Sequence, residues 1–184
     1  MEAMLSIMWR RVGESFLKDR IGVLDTWFSN KLADDYARFQ KTKKKASFKW
    51  NNMIKNYVKG LVPSRSAKLG WYTDVDTVYL PLNWEKRHWI ATIAEPLLAM
   101  LPLIIRKFAD TDGIDCTLPH AFTFERLVDV YQNDRTGDYG PLTVKFIELH
   151  AQGLGLDGLT EDKVDEMRMR FAIDVYEEFV VPLS

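Results

Sequence analysis

The sequence has little cysteine, and that scarcity limits the chemistry it can support. Cys116 is the only cysteine among 184 residues, so no disulfide can form within the chain. Structural zinc sites need clustered cysteine and histidine ligands, but the three histidines and the single cysteine are scattered without such spacing. We therefore expect no metal, no cofactor and a reducing intracellular compartment, either nuclear or cytoplasmic.

Long apolar runs and a strong charge of one sign are also missing. The longest apolar run, residues 97–105, is interrupted by Pro102 and falls far short of the roughly 20 residues that span a bilayer. The first residues include Glu2 and no long apolar stretch, so they make a poor signal peptide. A net charge of -1 predicts no general attraction to nucleic acids or anionic membranes.

One dense basic run, KTKKKASFK at residues 41–49, departs from this charge balance. A lysine run after a helix is most often a solvated loop, although it can also serve nuclear import or bind an acidic partner. Both interpretations stay open. A further functional hypothesis is a fragment that associates with nucleic acid through this run.

Apolar periodicity predicts helices packed around a short antiparallel sheet, which is an α+β domain. Asp25 is a plausible N-cap for the helix that follows it. Two strand-like segments, residues 74–83 and 88–94, are predicted to pair as a hairpin. The other predicted elements are helices at residues 50–61, 97–108 and 140–153, a helix that starts at the Thr160 cap, and a strand at residues 121–131.

The segment QNDRTGDYGPLTVKFIELH, residues 132–150, joins a polar turn to an amphipathic helix. The N-terminus of a helix presents free N–H groups and partial positive charge, which lower the pKa of a thiol placed there. A thiol protease needs that thiolate, a histidine base, a carboxylate that orients the base, and an amide that stabilises the oxyanion. Here the residue at the junction of turn and helix is Tyr139.

Two stretches resemble the ubiquitin-like (Ulp-type, SUMO-deconjugating) cysteine proteases. DVDTVYLPLNWEKRHWIATI resembles that family's strand, turn and His-Trp strand, and VYQNDRTGDYGPLTVKFIELHAQG resembles its glutamine, GDCG turn and helix. The upstream LDTWFSNKLADDYARFQKTKKK and FKW resemble the plant branch, whose members are often encoded within transposable elements. The resemblance implies a papain-like fold of the Ulp type over residues 25–184, with residues 1–24 as an N-terminal segment.

The resemblance assigns the base and the oxyanion group residue by residue. His88 matches the general base, and Trp89 matches the aromatic residue that packs near the C-terminal glycines of the modifier. Gln132 matches the oxyanion glutamine, but its spacing to the nucleophile position is one residue longer than in the best-known SUMO proteases. Asn133 is therefore the alternative residue for the oxyanion.

The resemblance also places the nucleophile, and there the sequence departs from the family. Asp138 and Gly140 match the residues that flank the nucleophile and are expected to help bind the substrate, but the cysteine between them is replaced by Tyr139. A phenol has a pKa of about 10, against about 8.5 for a thiol, so little phenolate exists at neutral pH. Cys116 lies in a loop with Pro119 close behind it, and a lone thiol there is not expected to be catalytic.

A second departure concerns the orienting carboxylate. In the family, the His-Trp strand is followed by a strand that supplies the aspartate. Here HWIATIA passes through EP into LLAMLPLII, which resembles the helix beyond that strand, so one strand is expected to be deleted near residues 94–97. Asp110, Asp112 and Asp115 lie after this helix, and none of them can be matched to the orienting role.

The resemblance implies a cysteine-type peptidase domain of the kind that cleaves ubiquitin-like modifiers such as SUMO after the C-terminal glycine. Because the thiol and the orienting aspartate are both missing, we expect this copy to be inactive. The expected partners are a ubiquitin-like modifier or its conjugates, and neither a membrane nor nucleic acid. The alternative, from a different class, is a non-catalytic binding module. Its groove around Trp89 and Gln132 would hold a modifier tail without cutting it.

Overall fold

The computed structural model describes residues 1–62, 69–71, 73–81, 83–84, 88–89, 95–108, 131, 135 and 137–181. His88 and Trp89 are described as strand backbone. Several predictions fall outside these residues. They are residues 90–94 of the predicted strand at 88–94, the strand at residues 121–131 apart from its last residue, the oxyanion candidates Gln132 and Asn133, the thiol of Cys116, and the carboxylates of Asp110, Asp112 and Asp115.

The described residues form helices and short strands, which confirms the predicted α+β class. The strands are β1 (Ile21–Val23), β2 (Thr77–Tyr79), β3 (Asn83–Trp84) and β4 (His88–Trp89). The helices are α1 (Glu2–Lys18), α2 (Thr26–Lys41), α3 (Asn52–Val58), α4 (Glu95–Phe108), α5 (Tyr139–Ala151) and α6 (Glu161–Phe179), with a 3₁₀ helix at Lys45–Ser47.

The strands pair differently from the predicted hairpin. A hairpin exists, but it joins β3 to β4, with Asn83 opposite Trp89 and Trp84 opposite His88. β2 pairs in parallel with β1 instead. The prediction was wrong in extending the first strand across residues 74–83, because β1 is only three residues long and gives no alternating pattern that would reveal it as a partner.

The register of β1 against β2 is fixed by Arg20, which stands directly before β1. Its φ of 55° lies in the left-handed region, and its carbonyl accepts from the N–H of Asp76 at 2.9 Å. Its Nε donates back to the Asp76 carboxylate at 2.5 Å. This hydrogen bond raises the pKa of Arg20 and lowers the pKa of Asp76, although both groups are exposed to solvent.

Two buried clusters form around β2. One contains residues of α2, α3 and α4, and the other contains residues of α1, β1, α5 and α6. Val78 and Leu80 pack against the first cluster, whereas Tyr79 packs against the second. Successive strand residues point to opposite faces, so β2 links the helical layer of α2 to α4 with the layer that contains α5.

Helix α1 is part of the core around α5. Leu5, Met8 and Phe16 are buried in the same cluster as Val144 and Ile147 of α5. In addition, the Glu2 carboxylate accepts from the backbone N–H of Thr26 at 2.9 Å and from its hydroxyl at 2.7 Å, which ties α1 to the N-terminus of α2. Residues 1–24 therefore pack with the predicted domain, and the residue at which the domain begins stays a prediction.

The basic run includes a lysine that caps α2. The Nζ of Lys45 donates to the carbonyls of Phe39 and Gln40 at 2.8 and 2.7 Å and lies over the Phe39 ring. A cation at the C-terminus of a helix satisfies otherwise unpaired carbonyl groups. Lys45 therefore has a structural role in ending α2.

Candidate functional site

Helix α5 begins at Tyr139, the residue at which the sequence predicts the nucleophile of a thiol protease. Asp138 is the N-cap residue, and its carbonyl accepts from the N–H of Leu142 at 3.0 Å. Gly137 precedes it with a φ of 95°, a conformation that favours glycine. The turn therefore bends sharply into the helix and leaves the half-buried Tyr139 at the helix N-terminus.

The Asp138 carboxylate is fully buried and lies between two arginines. The Nε of Arg135 donates to its Oδ2 at 2.9 Å, and a terminal nitrogen of Arg168, on α6, lies 2.7 Å from its Oδ1. A buried carboxylate is tolerated only where charges and hydrogen bonds compensate its lost hydration. These contacts, which we call the Asp138 cluster, fasten the turn before α5 to α6.

Arg135 extends the cluster to the first turns of α6. Its terminal nitrogens lie 3.0 Å from Oδ1 of Asp165 and 3.7 Å from a carboxylate oxygen of Glu161. The hydrogen bond with Asp165, followed by the charge of Asp138, raises the pKa of Arg135, and the same hydrogen bond lowers the pKa of Asp165. Asp165 is exposed, so water screens its pairing and the buried carboxylate dominates the cluster.

These contacts restrict what Asp138 can offer a ligand. Both of its carboxylate oxygens face arginine nitrogens, so any contribution to substrate binding would pass through its backbone. Its predicted binding role stays a prediction. Sequence reasoning missed Arg135 and Arg168. Neither an arginine in a polar turn, as Arg135 is, nor one on the exposed side of a helix, as Arg168 is, carries a sequence signal that it faces a buried carboxylate.

The buried residues of helix α5 do not all lie on one face, although the sequence predicts an amphipathic helix with a single buried face. A spacing of four and three residues places Leu142, Phe146 and Leu149 in one apolar stripe of this amphipathic helix. Only Leu142 of these is buried, together with Val144 and Ile147. The reason is that α5 contacts α1, α6 and β4, so its buried surface wraps around the helix.

Strand β4, which carries His88 and Trp89, lies against α5. A thiol protease needs its base within hydrogen-bond reach, roughly 3 Å, of the nucleophile. In this fold, β4 and α5, the two elements that are predicted to carry the base and the nucleophile, are in contact. The roles of His88, Trp89 and Gly140 in catalysis and binding stay predictions.

The C-terminal end of α5 is tied to β2 through a tyrosine and a histidine. The Oη of Tyr79 lies 2.6 Å from Nδ1 of His150, and the two rings meet edge to face. Burial raises the pKa of Tyr79. Together with the Asp138 cluster, this contact anchors α5 near both of its ends.

Neither a metal site nor a membrane span is found within the described ranges. No group of three or more His, Cys, Asp or Glu side chains there is placed to hold a metal ion. None of the helices in those ranges combines the length and apolar character that crossing a bilayer requires.

The sequence is similar over almost its whole length to the catalytic domain of a protease family. The chain matches a catalytic-domain model of proteases, described as the Ulp1 protease family, C-terminal catalytic domain, through residues 1–95 and residues 91–183. These stretches together cover nearly the whole chain, and the chain therefore belongs to the Ulp1 protease family. No curated protein and no solved structure matches it. Members of this family act on conjugates of ubiquitin-like modifiers, and the predicted ubiquitin-like protease type of domain is confirmed.

Proposed function

We propose that this chain is a ubiquitin-like-protease domain of the SUMO-deconjugating type that has lost its peptidase activity. The observation that carries the proposal is Tyr139 as the first residue of α5, where the family pattern calls for cysteine. Cleavage in this class proceeds through attack by a thiolate and an acyl-enzyme intermediate. A phenol is bulkier than a thiol and cannot supply that sulfur nucleophile.

The missing carboxylate is a second reason to propose inactivity. The two matched stretches of the family model meet at residues 91–95, and α4 begins at Glu95, soon after β4. A match divided at this place supports a deletion of the aspartate-bearing strand near residues 94–97. Without a carboxylate that fixes its tautomer, a histidine such as His88 is a poor general base.

The finer placement of the chain rests on sequence resemblance. We infer that it is a degenerate copy from the plant, transposon-associated branch, because LDTWFSNKLADDYARFQKTKKK and FKW resemble that branch. Loss of both the thiol and the aspartate agrees with a copy that is no longer under selection for cleavage.

A second candidate function is binding of a modifier tail without cleavage. It is favoured by the position of β4 against α5, which keeps the strand of Trp89 beside the helix that begins at the former nucleophile position. In this proposal Trp89 and Gln132 line the groove for the C-terminal glycines. The tail would stay intact, since nothing in the groove attacks it.

The activity proposal is tested with purified protein and SUMO bearing a fluorogenic C-terminal amide. We expect no turnover above the blank. Turnover that disappears in His88→Ala would contradict the proposal, and so would a covalent adduct at the start of α5 with SUMO bearing a C-terminal electrophile.

The missing carboxylate is tested separately with Tyr139→Cys. This variant restores the thiol alone, so we expect it to stay far below the rates of intact thiol proteases. Rates comparable with those of intact enzymes would show that another carboxylate orients His88.

The binding proposal is tested by titrating labelled SUMO with the protein. We expect weak binding that Trp89→Ala removes, whereas the matched control Trp27→Ala should bind as the parent does. Trp27 is on α2 and stacks on Tyr57, away from α5. A Kd of about 1 mM corresponds to a binding free energy of about -4 kcal/mol. If no binding is detected at that protein concentration, this function is ruled out.

A further inference from the structure

Helix α6 carries an apolar stripe on its outer face, which none of the described elements covers. Met169, Ile173 and Tyr176 of α6 and the C-cap residue Val180 are 67%, 49%, 58% and 47% exposed. Their spacing of four, three and four residues is that of the d and a positions of a heptad, which bring side chains to one face of a helix. The opposite face of α6 is inward, where Phe171 is buried.

The stripe ends abruptly on its N-terminal side. The preceding positions of the same heptad row are Asp162 and Glu166, which are exposed. A partner helix packed over these two residues would remove water from both carboxylates. It would also cover Lys163, the exposed cation that pairs with Glu166 at 3.0 Å. Removing water from these charges is costly. The usable contact is therefore residues 169–180, about three helical turns.

The two edges of the stripe differ in chemistry. One edge, at the heptad e positions, carries Arg170 and Glu177, which are both exposed. The other edge, at the g positions, carries Ala172 and the 42%-exposed Phe179. The stripe thus has a positive and a negative charge on one side and apolar groups on the other.

Arg170 keeps donors for a contact outside its own helix. Its Nε lies 3.1 Å from Oδ1 of Asp174, and its side chain is 68% exposed. A guanidinium carries five N–H donors, so this contact within α6 uses only part of its capacity.

This edge pattern is self-complementary in one arrangement. When two identical helices pair antiparallel about a twofold axis, e positions face e positions and g positions face g positions. Arg170 of each copy then faces Glu177 of the other, and Ala172 faces Phe179. In a parallel pair the e positions would face the apolar g positions instead.

We propose that α6 is a self-association surface through which two copies of this chain pair antiparallel. Met169 to Val180 of one copy pack against the same residues of the second, with two Arg170–Glu177 ion pairs along one edge. A second copy fits better than an unrelated helix, because the stripe carries both members of the ion pair at the separation that twofold symmetry requires. Four large side chains per copy make a small interface, so the dimer is expected to be weak, with a Kd of about 10–100 μM.

The mass of the full chain is measured by sedimentation from about 1 to 500 μM, a range that brackets this Kd. We expect a shift from monomer to dimer. Ile173→Asp should hold the protein monomeric without changing its circular dichroism, since the side chain is half-exposed. A monomer across the whole range for the parent chain would overturn the proposal.

Charge reversal tests the antiparallel geometry. Arg170→Glu and Glu177→Arg each place like charges opposite one another, so each variant alone should lose at least about tenfold in association. An equimolar mixture of the two should dimerise again, since both acidic positions of the first variant then face both basic positions of the second. Lys59→Glu, an exposed charge reversal elsewhere, is the matched control and should associate as the parent does. Failure of the mixture to associate, or equal association of all variants, would overturn the antiparallel arrangement.

Discussion

Replacement of Asp138 by asparagine should destabilise the fold more than any other single change of charge in the Asp138 cluster. Asp138→Asn keeps the size of the side chain but removes the negative charge that faces Arg135 and Arg168. The two arginines would then remain close together beside a buried amide. The volume is unchanged, but the charge is lost and one accepting oxygen becomes a donating NH2 group, so the variant separates the contribution of the ion pairs and their hydrogen bonds from that of packing.

The size of the effect follows from burial. Removing one partner of a buried ion pair costs about 3–5 kcal/mol. The side chains of Arg135 and Arg168 are 33% and 46% exposed and can recover part of their hydration, so we expect about 3 kcal/mol, the lower end of that range. At about 2–4 °C per kcal/mol for a chain of this length, Tm should fall by about 9 °C.

Thermal unfolding followed by circular dichroism measures this fall. Asp165→Asn is the matched control, because it removes a carboxylate that pairs with the same Arg135 from an exposed position. Its Tm should change by less than about 2 °C, since water screens exposed pairs. Equal Tm changes in the two variants, or a fall of under about 2 °C for Asp138→Asn, would refute the claim that burial makes this carboxylate important.

Three further predictions concern residues outside this cluster. Burial raises the pKa of Tyr79 in the folded protein. The stability that its neutral hydroxyl contributes is therefore present below about pH 10, the ordinary pKa of tyrosine, and is lost as pH rises through the folded pKa. In a pH titration followed by tyrosinate absorbance, the step at the highest pH should vanish in Tyr79→Phe. Gly153→Ala should lower the free energy of chemical unfolding by about 1 kcal/mol, because its φ of 67° is a left-handed conformation that alanine adopts only with strain. The control Gly158→Ala should change this free energy little, and equal losses in the two variants would contradict the reasoning. Asp25→Ala should lower the free energy of unfolding by about 2 kcal/mol in the same assay. The reason is that its carboxylate caps α2 and accepts from the Tyr57 hydroxyl at 2.5 Å. A change below about 0.5 kcal/mol would show that water replaces these hydrogen bonds.

The parts of the fold that depend on local interactions were predictable from the sequence. Asp25 was predicted to cap α2, and its carboxylate accepts from the N–H groups of Trp27 and Phe28. α4 and α5 also lie close to where apolar periodicity and the flanking turn residues indicate. These features persist because a cap or a helical turn involves residues only a few positions apart, so the signal is present in the sequence itself.

The strand pairing could not be predicted in the same way. β1 is short and has no alternating pattern, and its partner β2 is far away along the chain. The pairing depends on Arg20, whose left-handed backbone and ion pair with Asp76 set the register. An arginine in that conformation has no sequence signature, so only the folded chain shows the parallel pair.

The sequence by itself determined that a turn leads into a helix at Tyr139, that cysteine is missing from that position, and that the chain resembles the ubiquitin-like proteases. Tertiary structure decided that Asp138 is held by Arg168 from α6 and that β4 lies against α5. The physical reason is distance along the chain. Capping and periodicity act between neighbouring residues, whereas ion pairs and strand–helix contacts join residues that only folding brings together.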